Sequence, residues 1–508
     1  MPEILINVRP GQTRFAYLDE RVITDFKVER KTLPTFVGSI YKGKVLRVLP
    51  GMQAAFVDIG LDKAAFLYVG DIVTQGLKVD ADISDENDDE EVVLKRFDNQ
   101  GMGNISLPPI QTLISSGDEL MVQVAKDPLG TKGARITTHI TLPGRNLVYM
   151  PTVNHIGVSR KIEKEEERRR LEELVLSLKP SGGVIIRTAG EGAPEESLNS
   201  DLVYLSKIWK DVQKNFSNKK NIGQVHSEIS MELVSLRDLL NEDVKRVLVD
   251  HQPTYKKVVH FVGQFMPKLK SKVQLYEESK PLFDLYDIDI EISRSLGRKV
   301  WLKSGGYIVI DEAEALVVID VNTGRFVGKK DLEETIFKTN LEASREIANQ
   351  LMIRNCGGII IIDFIDMEKE THKEQILQAL QKEMAKDKAK NSIVSMSDLG
   401  LVEMTRKRTR PSLRNTLCEP CPYCEGKGYV KQKMTVAQEI LREIERELSL
   451  KKAVSSNSVK VRCHSDVADW LYTEETEVID KFEKDRSMSV AVKVEPNFHI
   501  EQYEINWI

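Results

Sequence analysis

The sequence lacks the features that mark membrane, secreted and disulfide-linked proteins. No stretch approaches the ~20 consecutive apolar residues of a membrane-spanning helix. The N-terminal residues MPEILI contain no basic segment of the kind that begins a signal peptide. Five cysteines in 508 residues, three of them clustered, do not indicate a disulfide framework. We therefore expect a cytoplasmic protein, and its length predicts several domains rather than one core.

Positive charge is also not in excess. The chain has 73 Lys and Arg against 78 Asp and Glu, a formal net charge of −5, which by itself argues against a nucleic-acid-binding protein. However, residues 80–91 (DADISDENDDEE) form a dense acidic run that predicts a solvated, mobile loop. The rest of the chain is close to neutral, so nucleic-acid binding has to be predicted from local patches.

Two apolar runs in the second half of the chain each lead into a carboxylate, and neither run contains a histidine. Residues 315–322 read ALVVIDVN and residues 357–366 read GGIIIIDFID. Continuous β-branched runs of this length are typical of strands buried on both faces. Apolar residues recur at helical spacing between them, and a strand–helix–strand unit makes its two strands parallel. Asp320 and Asp363 are therefore expected at one edge of a sheet, where α/β proteins place their sites.

The residues at this edge predict a metal site. Asn322 lies two residues after Asp320 and therefore points to the same side of the strand. Two carboxylates and an amide, with no histidine, suit Mg²⁺ or Mn²⁺ rather than Zn²⁺. A single aspartate at a strand end more often only caps the following loop. The matched pair of Asp320 and Asp363, together with Asn322, favours the metal site.

The first part of the chain predicts a small β-barrel with single-strand-binding features. Short strands with glycine punctuation are expected at residues 36–48, 53–60 and 64–68, and the barrel resumes at 118–126 after the acidic run. The pattern resembles the OB-fold repeated in the largest small-subunit ribosomal protein. Phe56 and Phe66 either stack on bases or belong to the barrel core. Positive charge on the first strand comes from Lys42, Lys44 and Arg47.

Two further basic segments are candidate phosphate contacts. Arg187 and Thr188 follow an apolar strand and could hold a phosphate by charge and by hydroxyl, although such a pair is usually an exposed strand end. The most basic short stretch of the chain comprises Arg406, Lys407, Arg408 and Arg410. It is either a solvated face or, given its position next to the predicted metal site, a contact with a phosphate backbone.

The clustered cysteines predict a shared zinc site. Cys421 and Cys424 form a Cys-x-x-Cys pair closed by small residues, whereas a structural zinc needs four ligands. The chain offers no second pair, so we expect a second chain to complete the site in a symmetric homodimer. A redox pair is the alternative, although the flanking sequence lacks a thioredoxin-type βαβ context. Cys418 is either a third ligand or uninvolved.

With these residues in view, the chain resembles the ribonuclease E/G family from about Leu5 to its end. The motifs that carry the resemblance are residues 40–44 (IYKGK), 54–58 (AAFVD), 187–190 (RTAG), 315–322, 363–367 (DFIDM) and 421–424 (CPYC). The resemblance implies a multidomain α/β and α+β fold. Its parts would be a ribonuclease H-like layer (1–34 and 233–295), an OB-fold RNA-binding domain (35–132), a 5′-sensor domain (133–232), a deoxyribonuclease I-like catalytic domain (296–415), a zinc link (416–428) and a small α+β domain (429–508).

The resemblance also implies an activity. It predicts a Mg²⁺-dependent endoribonuclease that cleaves single-stranded, AU-rich RNA to 5′-phosphate and 3′-hydroxyl products, with water as nucleophile. Preference for a 5′-monophosphate, and roles in ribosomal RNA 5′-end maturation and messenger RNA decay, are implied as well. The alternatives are a non-catalytic RNA-binding or ribosome-associated protein and a structural assembly factor. The implied assembly is a zinc-linked homodimer, alone or within a higher oligomer.

Matching residue by residue, the resemblance assigns four sets of side chains. Asp320 and Asp363 match Mg²⁺ ligands and Asn322 their hydrogen-bonding partner, while Cys421 and Cys424 match the shared zinc pair. The 5′-phosphate set is Gly144, Val148, Arg187, Thr188 and Lys390, and the RNA contacts of the barrel are Phe56, Phe66 and Lys132. Lys390 departs from the family pattern, which has arginine there. Lysine keeps the charge but not the bidentate geometry, so the resemblance does not fix the strength of 5′-end sensing.

Overall fold

A computed structural model of the chain describes residues 1–31, 35–73, 79–83, 92–96, 108–128, 133–324, 332–397, 400–408, 410–450 and 458–508. The chain divides into two compact units, Met1–Thr416 and Leu417–Ile508. No helix in these ranges is long and apolar enough to cross a membrane.

Strands precede the first α-helix along the described chain. Up to Thr137 the elements are β1 (Glu3–Arg9), β2 (Gln12–Asp19), β3 (Val22–Arg30), β4 (Ile40–Leu49), β5 (Ala54–Asp58), β6 (Ala65–Tyr68), β7 (Val79–Ile83), β8 (Val92–Arg96), β9 (Glu119–Lys126) and β10 (Arg135–Thr137). Up to Leu296 they are β11 (Leu142–Pro143), β12 (Leu147–Met150), β13 (Ile156–Val158), α1 (Glu165–Ser177), β14 (Gly183–Ile186), α2 (Glu195–Asn218), β15 (Gly223–His226), α3 (Met231–Leu239), β16 (Arg246–Val249), α4 (Gln252–Phe265), β17 (Val273–Leu275), α5 (Leu282–Leu285) and α6 (Ile288–Leu296).

The remaining elements are β18 (Lys299–Trp301), β19 (Tyr307–Glu312), β20 (Leu316–Asn322), α7 (Leu332–Ile353), β21 (Gly358–Asp363), α8 (Glu370–Met384), β22 (Asn391–Met396), β23 (Leu401–Arg406), α9 (Leu413–Leu417), α10 (Lys433–Leu450), β24 (Ser458–Cys463), α11 (Ser465–Thr473), α12 (Thr476–Arg486), β25 (Ser489–Val494) and β26 (Tyr503–Trp507).

The first sheet joins the N-terminus to a segment far along the chain. Its strand order is β17-β16-β1-β2-β3, and β1 pairs in parallel with β16 from Glu3 opposite Arg246 to Ile6 opposite Val249. Helices α3 and α4 contribute to the apolar core of this sheet. Residues 3–30 supply three of its strands, β1, β2 and β3. That this sheet is the ribonuclease H-like layer stays a prediction.

The predicted barrel is confirmed as a closed five-stranded sheet. Its order is β4-β5-β6-β10-β9, and β9 pairs back with β4 to close it. The strand β10 lies beyond the expected boundary at residue 132, and β15 adds a further strand to β4. The acidic run does not begin as a loop, because residues 80–83 belong to β7, which pairs with β8. Residues 84–91 of that run lie outside the described residues.

Two more sheets complete the larger unit. A four-stranded sheet in the order β11-β12-β14-β13 shares its core with α1 and α2. A six-stranded sheet, which we call the acid sheet, has the order β18-β19-β20-β21-β23-β22. The predicted parallel pairing of β20 with β21 is confirmed. Helices α7 and α8 pack on one face of the acid sheet.

The expectation that β20 and β21 are buried on both faces is wrong. Val317, Ile319 and Val321 point into the core, but the alternate residues of β20 point to an uncovered face. On that face Val318 is 39% exposed and Ile359 of β21 is 52% exposed. Side chains alternate between the core face and the exposed face as in any half-buried strand. The sequence does not show this alternation, because the residues on the exposed face are apolar too. The acid sheet therefore has one open face.

The smaller unit is an α+β structure. Its three-stranded sheet has the order β25-β24-β26, with β24 parallel to β25 and antiparallel to β26. The helices α10, α11 and α12 supply the other side of its core. Since α11 and α12 connect two parallel strands, this unit does contain a βαβ crossover, contrary to the expectation from the sequence.

Candidate active site

Asp320 and Asp363 lie side by side on the open face of the acid sheet. They are opposite each other in the parallel register of β20 and β21, and both are exposed. Neighbouring strands are about 4.8 Å apart, so the two carboxylates share one small volume. This is the arrangement that the sequence predicted, at the carboxyl ends of two parallel strands.

Several negative charges lie close together around this pair. Partial burial, followed by the charges of Asp320 and Asp366, raises the pKa of Asp363. Asn322 donates a hydrogen bond of 2.8 Å from Nδ2 to Oδ2 of Asp320, which fixes the orientation of that carboxylate. The amide therefore acts on Asp320 as a positioning group.

This set of donors fits a hard divalent cation. The groups are oxygen donors on one exposed edge, and in the part of the chain that the structure describes no group of three or more His, Cys, Asp or Glu side chains could enclose a metal ion. Mg²⁺ typically binds one or two carboxylates and takes its remaining ligands from water and substrate phosphates. Asp320 and Asp363 suit that pattern and do not suit a closed structural site.

The sequence did not predict the residue that holds the loop after β21. Asn340 of α7 is fully buried and makes two hydrogen bonds to the backbone of Ile365. Its Nδ2 donates to the carbonyl at 2.8 Å, and its Oδ1 accepts from the amide at 3.2 Å. A polar residue on the apolar side of a predicted helix was the available signal. Asn340 fixes the segment that begins at Asp363.

Phe56 and Phe66 lie outside the barrel core. They face each other across β5 and β6, with ring centroids 6.1 Å apart and ring planes at 72°. Phe56 is 38% exposed and Phe66 is half-buried, so the interpretation as barrel core is wrong. Lys132, the third predicted RNA contact, lies outside the described residues.

The basic residues of β4 differ from one another. Lys42 is buried, and its Nζ donates to the carbonyl of Lys219 at 2.9 Å and pairs with Glu119 at 2.8 Å. Lys42 therefore links β4 to Lys219 and Glu119 within the protein and is not a contact for RNA. Lys44 and Arg47 are exposed, in agreement with the prediction of charge on the barrel surface.

The structure brings Gly144, Val148 and Arg187 together in the four-stranded sheet, but the arginine is engaged internally. Arg187 is 6% exposed, and it donates to the carbonyl of Gly144 at 2.6 Å and to Asp238 at 2.8 Å. A Cβ atom at Gly144 would lie 2.9 Å from the carbonyl oxygen of Leu147, so only glycine fits. Arg187 is thus not the exposed strand end of the alternative interpretation.

Asp238 was not predicted from the sequence. Burial opposes its charge, yet the guanidinium groups of Arg187 and Arg237 hold the pKa of this carboxyl well below its usual range. It therefore stays ionised beside Arg187.

Thr188 is connected to the groove that contains Lys390 through Ser159 and Lys161. The hydroxyl of Thr188 lies 3.0 Å from that of Ser159, which accepts from the backbone N–H of Lys161 at 3.4 Å. Lys161 lines a groove of 460 Å³ together with Lys388 and Lys390. Three lysines therefore line one groove, and Thr188 is not among its lining residues.

The basic stretch is at the opposite end of the acid sheet from Asp363. Arg406 pairs with Gly358 at the start of β21, whereas Leu401 pairs with Asp363. Arg406 is 5% exposed and binds the carboxylate of Asp387 at 2.6 Å, and Arg410 binds Asp25. Both expectations, a solvated face and a phosphate contact next to the metal site, are therefore wrong for these two arginines. Arg408 is exposed.

The cysteine pair is accessible. Cys421 is exposed and Cys424 is partly exposed, with its Sγ accepting the N–H of Gly428 at 3.3 Å. The N–H groups of Cys424 and Tyr423, followed by the Cys424 thiol, lower the pKa of Cys421. The pair lies more than thirty residues before β24 and is therefore not part of the crossover between β24 and β25.

Comparison with known proteins agrees with this geometry. The family model described as "Ribonuclease E/G family" matches residues 141–409, and the model described as "RNase E/G, Thioredoxin-like domain" matches residues 420–508. The chain is 46% identical over 504 residues to ribonuclease G of Salmonella typhimurium (strain SL1344) and 45% identical over 504 residues to ribonuclease G of Escherichia coli (strain K12), with 99% of each chain covered in both cases. It is 34% identical over 508 residues to ribonuclease E of Escherichia coli (strain K12), covering 99% of this chain and 45% of that protein. The chain therefore belongs to the ribonuclease E/G family.

Proposed function

We propose that the chain is a Mg²⁺-dependent, single-strand-specific endoribonuclease of the cytoplasm that cleaves AU-rich RNA to 5′-phosphate and 3′-hydroxyl products. Membership of its family makes it an endoribonuclease. The observation that carries the finer proposal is the in-register pair of Asp320 and Asp363 on the open face, with Asn322 bonded to Asp320. Ribosomal RNA 5′-end maturation and messenger RNA decay are the processes that such an enzyme would serve.

Asp320 and Asp363 would hold Mg²⁺ at the scissile phosphate. When bound there, the ion supplies a Lewis acid that activates water and neutralises charge on the phosphate oxygens. Asn322 keeps the carboxylate of Asp320 oriented, and Asn340 keeps the loop after Asp363 in place. The open face leaves room for an extended strand, whereas a buried site would require the strand to thread into the protein.

The barrel supplies a second contact with RNA. The exposed face of Phe56, beside Phe66, suits base stacking, which tolerates many sequences because every base has a π-face. The exposed Lys44 and Arg47 supply charge for the phosphate backbone. Lys132 stays a predicted contact.

The 5′-monophosphate would bind beside Thr188, in the region bordered by Gly144, Val148 and Arg187. The ion pair between the buried Arg187 and the partly exposed Asp238 supports a pre-formed pocket wall. The exposed charge comes from Lys390 and its neighbouring lysines. Because an ammonium group cannot make the bidentate contact of a guanidinium group, the preference for a monophosphate is expected to be modest.

The remaining assignments concern assembly and ancestry. We assign the sheet around β1 and β16 to a ribonuclease H-like layer and the acid sheet to a deoxyribonuclease I-like catalytic domain. Cys421 and Cys424 would bind half of a Zn²⁺ that a second chain completes, giving a homodimer or a higher oligomer. Two accessible thiols with no third ligand group in the described residues support this link.

The experiment that tests this function is cleavage of a short AU-rich single strand in Mg²⁺, with 5′-monophosphate and 5′-hydroxyl versions compared. Wild type should cut, and Asp320→Asn should bind the RNA but lose turnover by several orders of magnitude. Glu403→Gln is the matched control, because Glu403 is an exposed carboxylate on the same face, opposite Ile361. Normal cleavage by Asp320→Asn would contradict the metal assignment. Binding without any cleavage by wild type would favour the non-catalytic RNA-binding protein.

A further inference from the structure

An exposed aromatic cluster lies on the open face of the acid sheet, in the same transverse row as Asn322. Trp301 of β18 is opposite Tyr307 of β19, and Tyr307 is opposite Asn322 of β20. Directly opposed residues of neighbouring strands point to the same face. The side chains of Trp301, Tyr307 and Asn322 therefore form one row across three strands.

The adjacent row contains the acid pair. Lys299 is opposite Val309, Val309 is opposite Asp320, and Asp320 is opposite Asp363. Two strand spacings, about 10 Å, separate Trp301 from the strand that carries Asp320. The aromatic cluster and the acid pair are thus parts of one continuous surface, within reach of neighbouring nucleotides of one strand.

Lys299 holds the two rings as a unit. The rings of Trp301 and Tyr307 meet edge to face, with centroids 5.3 Å apart and ring planes at 62°. The ammonium group of Lys299 is 4.1 Å from the centroid of Trp301 and 3.4 Å from that of Tyr307. Both contacts are within the range of cation–π interactions. The carbonyl of Trp301 also accepts a hydrogen bond of 3.0 Å from Arg294, which anchors the backbone.

Trp301 is not part of any core. It is 56% exposed, whereas its neighbour Val300 is fully buried on the other face. A large exposed aromatic beside a cation matches the chemistry of a nucleic acid strand, whose bases stack and whose phosphates attract positive charge. An apolar protein partner would leave the ammonium group of Lys299 desolvated and without a counter-ion. The charge and the position therefore favour RNA as the occupant.

We propose that Trp301, supported by Tyr307 and Lys299, stacks on a base of the RNA strand within a few nucleotides of the scissile phosphate. This platform rests on the proposed function, because it takes the acid pair as the place of cleavage. It would fix the register of the strand relative to Asp320 and Asp363. Its contribution is to substrate binding and positioning, and no bond-making step is assigned to it.

The first test compares Trp301→Ala with Trp301→Phe in the full chain. Loss of a stacking aromatic typically weakens binding about 5- to 150-fold. Trp301→Ala should therefore raise KM by about that factor and leave kcat nearly unchanged, while Trp301→Phe keeps most of the affinity. Tyr472→Ala is the matched control, since Tyr472 is also 56% exposed but lies in the smaller unit. Should Trp301→Ala fail to fold, Trp301→Thr keeps the β-propensity of the strand.

The second test separates stacking from a general structural effect. A set of AU-rich 5′-monophosphorylated strands carries one abasic nucleotide at each position in turn. With wild type, one abasic position near the cleavage point should weaken binding, and the same position should have no further effect in Trp301→Ala. Unchanged sensitivity to every abasic position in Trp301→Ala would overturn the platform.

Other outcomes identify which proposal fails. A wild type that binds but does not cleave removes the proposed function, and binding of the abasic set then still tests the platform. Cleavage by wild type with Trp301→Ala indistinguishable from it overturns the platform alone. A change of oligomeric mass in Trp301→Ala, with no change in the abasic profile, would instead make this surface a contact between copies of the chain.

Discussion

The two ends of the acid sheet carry opposite charges in opposite environments. At one end, Asp320 and Asp363 are exposed and crowded together without a cation from the described part of the protein. At the other end, about 17 Å along β21, Arg406 is buried and neutralised by Asp387. The acidic end leaves its charge unpaired for a ligand, and the basic end uses its charge to tie elements together. Charge in the sequence therefore says little until its pairing is known.

The sharpest test of the acidic end is Asp363→Asn. Turnover should fall about 10³-fold or more, because one ligand of the metal is lost. The melting temperature in metal-free buffer should stay the same or rise, since the change removes repulsion from Asp320 and Asp366. Single-turnover cleavage and thermal unfolding measure the two effects. A large loss of stability would show that Asp363 stabilises the fold, and the two ends of the acid sheet would then not differ in the role of their charges.

The basic end should respond in the opposite way. Arg406→Ala leaves the carboxylate of Asp387 buried without its partner and should cost about 3–5 kcal/mol of unfolding free energy. Denaturant unfolding measures this cost. The matched control is Arg408→Ala, because Arg408 is exposed and its guanidinium group donates to the neutral carbonyl of Gly357. That variant should cost about 1 kcal/mol or less. Unchanged stability of Arg406→Ala with weaker RNA binding would restore the phosphate-contact interpretation.

Asn340 tests whether the acidic end depends on α7. Asn340→Ala removes two buried hydrogen bonds to Ile365 and should cost about 1–3 kcal/mol of stability. Displacement of the loop after Asp363 should also lower kcat roughly 10- to 100-fold with little change in KM. Ser344→Ala is the control, because Ser344 is buried on the same helix and donates to the carbonyl of Leu341 within that helix. Equal kcat values for the two variants would contradict a positioning role.

Lys390 gives the smallest expected effect. It is exposed next to the basic end, where the backbone N–H of Lys407 donates to its carbonyl. Lys390→Arg should raise the ratio of cleavage rates for 5′-monophosphate over 5′-hydroxyl RNA about two- to tenfold, because a guanidinium group contacts phosphate bidentately. Lys388→Arg in the same groove should leave the ratio unchanged. If both variants raise it equally, the groove acts only by its total charge.

The sequence predicted the acid pair because local signals were sufficient there. Two apolar runs joined by a helix predict parallel strands, and the register of their pairing places Asp320 opposite Asp363. The first three strands of the barrel were predictable for the same reason, since β4, β5 and β6 follow one another closely in the chain. The last strand of the barrel, β10, was missed at the boundary because only three residues pair.

The environments of the charged side chains were not predicted because their partners lie far away in the chain. Lys42 is neutralised by Glu119, Arg187 by Asp238 and Arg410 by Asp25, and none of these partners is visible from local spacing. The open face was missed because Val318 and Ile359 are apolar although exposed. Apolar character alone does not distinguish a residue that packs in a core from one that faces a ligand surface.

The pairing of β1 with β16 imposes an order on folding during synthesis. Ile4 finds its partner Val247 only after the ribosome has added 243 more residues. At 5–20 residues per second this takes on the order of 10–50 s. In that interval the antiparallel strands β1, β2 and β3 can pair with one another, but the outer edge of β1 stays open to other chains. The barrel and the four-stranded sheet therefore have time to form before the sheet of β1 and β16, whose strands lie on both sides of them in the sequence, is completed.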